Sequence, residues 1–312
     1  MSAPTLFSTR DRIRFLAAAG LGLAAGGLTL GKFAQAQEST PAAEVSITMS
    51  ATEFAFDLPA EIPSGWVRAS LENKGAEAHH AQFLKLGDGV TADDFVNTLL
   101  TEGESALATV LAYGGPGVAN PGSTTEAVVW LDPGNYVTVC FISGPDNVPH
   151  FAKGMSKGFT VVAGDGTSQP PVEDAAVELV DFGFASLPSE LPAGKLTIKA
   201  TNTGAEMHEL VVISPAEGFT AEDIIGMLTM PPASPEADAG SEHDHGTPAP
   251  EESGPPPFSF HGGLQGIMPG MSGYAIVDLT PGEYIAFCGI PSPANGGAPH
   301  FMLGMYAIFN AR

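Results

Sequence analysis

The chain has 312 residues, of which 44% are hydrophobic and 15% charged, with 38 glycines and 27 prolines. Its formal net charge of −23 argues against binding to nucleic acid or to anionic membrane surfaces, because both need a basic face. The abundance of glycine and proline favours β-structure with many turns over a helical bundle, and the length allows two ordinary domains.

The first 36 residues have the pattern of an export signal. Three arginines precede a run rich in Ala, Gly and Leu over residues 15–31, and a small-x-small cleavage sequence ends at Ala36. We expect cleavage at this point and export to the periplasm or the extracellular space. The alternative is an uncleaved segment that tethers the protein to a membrane, although the run is short and glycine-rich for a transmembrane span.

Strand and helix signals follow in chain order from residue 44. Apolar and polar residues alternate at 45–49, as in a half-buried strand, and Thr91 is the predicted N-cap of a short helix with acidic residues in its first turn. The segment 136–140 is apolar on both faces, which predicts a central, buried strand. The predicted strands of this half lie at 45–49, 66–73, 81–86, 127–131 and 136–140.

The same signals return in the second half of the chain. Asn202-Thr-Gly-Ala-Glu-Met-His208 matches Asn73-Lys-Gly-Ala-Glu-Ala-His79. A repeat of about 130 residues is too long for a solenoid unit, so the pattern indicates a tandem domain duplication. We predict a first domain over 37–163, a linker with several Pro, Gly and Ser residues over 164–176 and a second domain over 177–312.

The second repeat carries an insertion over residues 231–257 that is rich in Pro, Glu, Ser, Asp and Gly. This composition predicts a disordered surface loop. The insertion contains His243 and His245, which we interpret as part of a solvated tract. An auxiliary copper or zinc site is the alternative interpretation.

Each repeat ends with the same three side chains on one loop. A cysteine is followed, after nine residues in the first repeat and eleven in the second, by a histidine, and five positions later by a methionine. A further histidine, His79 or His208, precedes the cysteine at a matching position. Two imidazoles, a thiolate and a weak axial thioether are the donor set of a blue copper site. The loop residues are Cys140, His150 and Met155 in the first repeat and Cys288, His300 and Met305 in the second.

Cys140 and Cys288 are the only cysteines of the chain. In an exported protein, a single disulfide is the simplest interpretation of two cysteines. Because they occupy the same place in two repeats, we expect them to lie in the cores of separate domains. Each also has its own downstream histidine and methionine, so the pattern favours two metal sites over a disulfide.

Each repeat resembles a cupredoxin, the blue copper fold of plastocyanins, azurins and the domains of copper nitrite reductases. The patterns Asn-x-Gly-x-x-x-His, Gly-x-Tyr-x-x-x-Cys and His-x-x-x-x-Met match plastocyanins, whereas the longer gap from cysteine to histidine resembles nitrite reductases. The resemblance implies an all-β fold of two tandem Greek-key β-sandwich domains, each with a short helix. It also implies two type 1 copper ions, one held by His79, Cys140, His150 and Met155 and the other by His208, Cys288, His300 and Met305.

The resemblance assigns further roles around these ligands. Asn73 and Asn202 are expected to brace the sites by hydrogen bonds behind the ligands. In the family, electrons enter and leave through an apolar surface beside the loop histidine, and packing of the loop is the alternative role for the residues there. This surface would consist of Pro149, Phe151, Pro299 and Phe301.

Two further histidines receive no ligand role. His80 adjoins His79, but its counterpart in the second repeat is Glu209. His261 falls where Tyr113 lies in the first repeat, beside a Gly-Gly turn. Only His79 aligns with a histidine of the other repeat, so we expect it to be the ligand of its pair.

These observations predict an exported electron-transfer protein whose partners are other redox proteins, and a basic partner would suit its charge. A copper-binding or copper-buffering role is the alternative, which the histidines of the insertion favour. An enzyme resembling nitrite reductases or laccases would need a further copper centre with histidines next to the cysteine, yet Val139 precedes Cys140 and Phe287 precedes Cys288. No catalytic residue is therefore predicted, and the oligomeric state is left open.

Overall fold

The computed structural model describes residues 44–230 and 256–312. The predicted signal segment over 1–36 lies outside these ranges, and so does nearly all of the insertion, including His243 and His245. Within the described ranges, no helix is both long and apolar enough to cross a membrane.

The first half of the described chain is built of short strands joined by turns. Its strands are β1 (Val45–Thr52), β2 (Ala55–Asp57), β3 (Glu61–Pro63), β4 (Gly65–Asn73), β5 (Gln82–Lys85), β6 (Leu111–Ala112), β7 (Pro116–Val118), β8 (Thr124–Leu131), β9 (Gly134–Val139) and β10 (Ser156–Val162). Strand β9 pairs with both β5 and β10, and its last four residues are buried. The prediction of a central strand here is confirmed.

The second half repeats this series after β10 ends. Its strands are β11 (Ala175–Val180), β12 (Gly183–Ala185), β13 (Glu190–Leu191), β14 (Gly194–Asn202), β15 (His208–Pro215), β16 (Phe258–Ile267), β17 (Ser272–Leu279), β18 (Gly282–Phe287), β19 (Pro291–Ser292), β20 (Ala298–Pro299) and β21 (Tyr306–Ala311). No strand is found between Val162 and Ala175, the stretch in which the sequence predicts a linker.

One short α-helix interrupts the strands of each half, α1 (Ala92–Glu102) and α2 (Ala221–Thr229). The predicted N-cap at Thr91 is present: the Thr91 hydroxyl accepts a hydrogen bond from the backbone N–H of Asp94, and the Asp94 carboxylate accepts one from the backbone N–H of Thr91. Thr220 and Asp223 form the same reciprocal pair. These capping boxes satisfy backbone donors that no helical carbonyl can reach.

The two halves have the same strand order, as expected for duplicated Greek-key sandwiches. One sheet of the first domain runs β8-β4-β1-β2 and the other β3-β10-β9-β5-β6; the second domain runs β17-β14-β11-β12 and β13-β21-β18-β15-β16. The sheets are continuous across the domain boundary. Strand β17 pairs with β8, giving a sheet of eight strands, and β7 pairs with β16.

The contacts between the domains follow a local twofold symmetry. The repeat offset is 288 − 140 = 148 positions, and in the β8–β17 pair Ala127 lies opposite Ala275, 148 positions later. In the β7–β16 pair, Pro116 lies opposite Leu264, at the same offset. Equivalent residues therefore face each other, which is the arrangement of an isologous dimer interface.

This interface needs a glycine at position 117. A Cβ atom there would lie 2.5 Å from the backbone of Gly262 on the facing strand. Only a residue without a side chain permits such an approach.

The hydrophobic core differs from the expectation of two separate interiors. A single cluster of buried side chains includes Leu71 and Cys140 of the first domain and Ile198 and Cys288 of the second. The cores merge because the paired strands β8 and β17 bring apolar residues of both domains together. Both cysteines are buried and free, so they form no disulfide.

Candidate metal centres

In the first domain, three predicted ligands converge in the interior. Cys140 directly follows β9, and His150 begins a 3-10 helix (His150–Lys153). His79 Nδ1 lies 3.1 Å from His150 Nδ1, and Cys140 Sγ lies 3.5 Å from His150 Nδ1. The side-chain donors of these three buried residues all lie within 4.8 Å of one another, a spacing that can hold a metal ion.

The second domain builds the same group from equivalent positions. His208 Nδ1 lies 3.0 Å from His300 Nδ1, and Cys288 Sγ lies 3.3 Å from His300 Nδ1. All three side chains are again fully buried. Within the described ranges, these two groups are the only clusters of three or more His, Cys, Asp or Glu side chains close enough to share a metal ion.

Backbone hydrogen bonds bring the methionine next to the other residues of each loop. The N–H of Cys140 donates to the carbonyl of Met155, and the N–H of Met155 donates to the carbonyl of His150. Cys288, Met305 and His300 repeat both bonds in the second domain. Met155 and Met305 are fully buried, so each methionine side chain lies in the interior, on a backbone segment bonded to that of its cysteine.

Each loop histidine begins a 3-10 helix, His150–Lys153 in the first domain and His300–Leu303 in the second. A glycine follows each of these helices and turns the chain towards the methionine. Gly154 has φ of 103° and Gly304 has φ of 106°, a backbone conformation that L-residues rarely adopt. In the first domain the N–H of Phe151 also donates to the carbonyl of Cys140, which closes the loop onto the cysteine.

All four histidines carry a carboxylate on the ring nitrogen that faces away from the cysteine. The Nε2–carboxylate distances range from 2.9 to 3.4 Å. The pairs are His79 with Glu53, His150 with Glu77, His208 with Asp181 and His300 with Glu206. Because a carboxylate accepts a hydrogen bond, these contacts place the ring proton on Nε2 and leave a lone pair on every Nδ1.

The donor set fits a soft metal ion. Within each group, two Nδ1 atoms that carry lone pairs lie 3.0–3.1 Å apart, and a thiol sulfur lies 3.3–3.5 Å from one of these nitrogens. Two facing lone pairs repel each other unless a cation lies between them. Imidazole nitrogen with thiolate sulfur is the combination that copper and zinc prefer, and a neighbouring thioether favours copper.

Burial makes the thiols weak acids in the absence of a metal. It raises the pKa of Cys140 to about 12, and it also raises the pKa of Cys288. Burial lowers the pKa of His79 and of His208, which keeps these imidazoles neutral. Metal binding must therefore displace one proton from each thiol but none from His79 or His208.

The carboxylates that bind the outer nitrogens are functional residues that the sequence analysis missed. Glu53 Oε1 also accepts hydrogen bonds from the backbone N–H groups of Ala76 and Glu77, and these bonds hold its pKa below the usual range. Asp181 occupies the equivalent position, where its hydrogen bond with His208 lowers its pKa. The repeat itself carried the signal, since all four acids recur at matching positions.

The predicted bracing asparagines are buried and fully hydrogen-bonded. Asn73 Nδ2 donates to the carbonyls of Glu77 and Ala119, and Asn73 Oδ1 accepts from the N–H of Gly75. Asn202 makes the same three bonds in the second domain. Each asparagine thus fixes the turn that carries a carboxylate and the first histidine, rather than bonding to a ligand side chain itself.

We predict that Asn202→Ala lowers the free energy of unfolding by about 2–4 kcal/mol, because it leaves two buried carbonyls unpaired and opens a small cavity. Urea denaturation of the metal-free protein measures this loss. The control is Asn97→Ala on the exposed face of α1, which should change stability by less than about 0.5 kcal/mol. Equal effects of the two substitutions would contradict the bracing role.

The residues predicted to form an electron-entry surface are packed at the edge of each loop. Pro149, Phe151, Pro299 and Phe301 are all half-buried. The ring of Phe151 lies 5.6 Å from that of Phe141, and the ring of Phe301 lies 6.0 Å from that of Phe287. These contacts agree with the packing alternative, and the electron-entry role stays a prediction.

His80 and Glu209 turn away from the ligand groups. His80 Nε2 accepts a hydrogen bond from the N–H of Phe141 at 2.7 Å, and Glu209 Oε1 accepts one from the N–H of Gly289 at 2.8 Å. Burial lowers the pKa of His80 to about 4 and raises the pKa of Glu209 to about 7. Each side chain thus anchors the residue that directly follows a cysteine.

His261 lies apart from both groups. Its Nε2 is 2.8 Å from Ser214 Oγ, and its ring packs edge-on against Tyr284 at 5.0 Å. Burial lowers its pKa. These contacts give His261 a packing role in the second domain.

No protein-family model matches the chain, and no curated protein matches it. Among solved structures, reduced auracyanin from Roseiflexus castenholzii is 23% identical, with 39% of this chain and 99% of that chain covered and a TM-score of 0.27. A copper-containing nitrite reductase from Thermus scotoductus is 14% identical over 86% of this chain and 62% of its own, with a TM-score of 0.24. A copper nitrite reductase from Nitrosomonas europaea is 11% identical over 86% of this chain and 94% of its own, with a TM-score of 0.24.

These overall scores are low, and the assignment therefore depends on the strand order and on the two centres. Any duplicated β-sandwich would have the same order of its nine strands in both halves. The two histidines, the cysteine and the methionine that are buried at each centre are a more specific feature, because a sandwich does not need them for its fold. The described chain thus consists of two β-sandwich halves with one strand order, each with a buried His-Cys-His group and a buried methionine, and these features agree with the resemblance to cupredoxins seen in the sequence.

Proposed function

We propose that this protein is an exported electron carrier with two type 1 copper sites. The observation that supports it best is the pair of buried His-Cys-His groups whose Nδ1 atoms and sulfur converge while every Nε2 is held by a carboxylate. Copper, when bound, would supply a one-electron couple between Cu(I) and Cu(II). His79, Cys140, His150 and Met155 would hold one ion, and His208, Cys288, His300 and Met305 the other.

The residues of each domain keep the donors in place. The backbone bonds between cysteine, histidine and methionine fix the loop, and the carboxylates fix the tautomer and orientation of each ring. A site whose ligands move little between oxidation states has a small reorganisation energy, and a small reorganisation energy favours fast electron transfer. The burial of all the ligands excludes water from the centre.

We assign the protein no catalytic step. Val139 and Phe287 occupy the positions before the cysteines where an adjoining copper centre would need a histidine. Redox proteins are the proposed partners, and the net charge of −23 suits a basic one. Such an association would weaken as salt increases.

The test is copper content together with optical and EPR spectra of the oxidised protein. We expect two copper ions per chain, an intense charge-transfer band near 600 nm, as is approximately typical of copper–thiolate bonding, and narrow hyperfine splitting. A third copper ion with a type 2 signal would point to an enzyme instead. Bound copper without a blue band would favour copper buffering.

A further inference from the structure

An open cavity of about 350 Å³ lies between the two domains, where β4 and β8 of the first meet β17 of the second. Trp66 and Trp130, the only tryptophans of the chain, line it together with Tyr113. The two tryptophans lie directly opposite each other on neighbouring strands, with ring centroids 5.7 Å apart and ring planes at 74°. Trp130 is 42% exposed, so a molecule in solution can reach the rings.

A carboxylate in the same cavity holds two of the three rings. Asp132 Oδ1 accepts a hydrogen bond from Trp130 Nε1 at 2.9 Å, and Asp132 Oδ2 accepts one from the Tyr113 hydroxyl at 2.8 Å. The bond from Trp130 in particular holds the pKa of Asp132 below its usual value, so this carboxylate is ionised at neutral pH. The ring of Trp66 is supported by Tyr274, which is buried and packs edge-on against it at 5.4 Å.

The twofold-related place in the second domain also has a cavity, with a different lining. The strand positions that hold the two tryptophans in the first domain hold Lys195 and Asp278 in the second, again directly opposite each other. His261 replaces Tyr113. Because the duplicated fold forms without these aromatic residues, packing alone does not account for the three rings of the first cavity.

Aromatic rings beside a carboxylate suit an organic cation. The face of an aromatic ring attracts positive charge, and tryptophan does so most strongly. Asp132 adds a full negative charge, and the net charge of −23 raises the concentration of cations around the protein. Lys85 Nζ already lies 5.8 Å from the centroid of the Tyr113 ring, although Lys85 does not line the cavity.

The remaining lining favours a cation that has no N–H groups. A primary ammonium carries three donors that lose their water partners when they enter a cavity. Ser272 Oγ lies 2.9 Å from Thr201 Oγ1, and each oxygen of Asp132 already accepts one hydrogen bond. Ile267 and Met271 present apolar side chains. A fully methylated nitrogen avoids the cost of unpaired donors and packs against apolar atoms.

We propose that this cavity binds a small quaternary ammonium ion of the choline class. The methylated nitrogen would lie against the rings of Trp66 and Trp130, with the carboxylate of Asp132 beside it. Such a group can belong to a free solute or to a lipid headgroup. We assign the site to a free solute, because the phosphate that adjoins the ammonium group of a lipid would be repelled by Asp132.

The test uses the fluorescence of the two tryptophans, since both line the cavity and no other tryptophan contributes to the signal. The metal-free, full-length chain is titrated with choline, with its neutral isostere 3,3-dimethylbutan-1-ol and with the primary amine ethanolamine. We expect a saturable change with choline and roughly tenfold weaker binding of the other two probes. Calorimetry gives the same affinities independently of the tryptophans.

Three variants separate the charge from the rings. Asp132→Asn should weaken choline binding roughly tenfold and leave the affinity for the neutral isostere unchanged. Trp130→Leu should weaken the binding of both, as measured by calorimetry, and its melting temperature checks that the fold persists. Asp278→Asn is the matched control, because it removes the same charge at the exposed, twofold-related position outside the cavity. It should leave choline binding unchanged.

Three results would overturn the proposal. They are the absence of a saturable response of the wild-type chain to choline, equal affinities for choline and its neutral isostere, and equal effects of Asp132→Asn and Asp278→Asn. Co-sedimentation of the chain with phosphatidylcholine vesicles, lost in Trp130→Leu, would overturn the assignment to a free solute.

This inference rests on the cavity and not on the proposed function. The titration uses the metal-free chain, so its outcome does not depend on copper. A negative titration therefore leaves the electron-carrier proposal intact, and a protein that binds no copper leaves the cavity proposal intact.

Discussion

Cys140→Ser is expected to remove one of two copper equivalents and about half of the blue absorption, and Cys288→Ser to remove the other half. The blue band requires a thiolate, and a serine hydroxyl neither ionises at neutral pH nor forms the covalent copper–sulfur bond. Because each cysteine belongs to its own domain and its own group, the loss at one site should not affect the other. Copper analysis and absorption spectra of the two single variants measure both quantities.

The double variant should bind no type 1 copper. Serine has nearly the size of cysteine, so the fold should persist, and circular dichroism of the metal-free variants checks this. If either single variant kept the full absorption, the cysteine in question would not be a ligand. If one variant lost all of it, only one of the two sites would bind copper.

Glu77→Gln and Glu206→Gln are expected to raise the reduction potential of their own sites by about 60 mV. Each glutamate accepts a hydrogen bond from Nε2 of a loop histidine, at 2.9 Å for His150 and 3.0 Å for His300. A negative charge on the far side of the imidazole stabilises the more positive oxidised state, and its removal favours reduction. A tenfold change in a one-electron equilibrium corresponds to about 59 mV.

Glutamine keeps an oxygen that can accept the Nε2 proton, so the substitution removes the charge and preserves the geometry. Redox titration with optical detection measures the reduction potential. In a Cys140→Ser or Cys288→Ser background only one site remains, so the titration curve belongs to that site alone. Glu72→Gln is the control, because this carboxylate is exposed and pairs with Lys74. A shift as large in Glu72→Gln would show that the potential responds to net charge rather than to the histidine contact.

The candidate ligands could be proposed from the sequence because the pattern depends on short, repeated spacings. Cys140, His150 and Met155 lie on one loop, and the same three residue types recur around Cys288. The capping boxes at Thr91 and Thr220 were predictable for the same reason, since their partners lie three residues away. Features that depend on residues close together in the chain can be recognised from short sequence patterns.

The carboxylates were not predicted, although they also recur. Acidic residues are common in this chain, with 35 in total, so an acid two residues before a histidine is not informative by itself. Glu53 lies 26 positions from His79, and only the folding of β1 and β2 against the histidine turn brings the two together. The asparagines were expected to act behind the ligands, but the backbone groups they bind became evident only in the structure.

The sequence by itself determined the class of the two domains, the eight candidate ligands and the helix starts, because these follow from alternation, spacing and repetition within short stretches. Only the tertiary structure decided that the two cores merge, that β8 pairs with β17 around a twofold axis, and that a cavity lies between the domains. Pairing between distant strands depends on the shape and burial of whole surfaces, and no short stretch of residues encodes it.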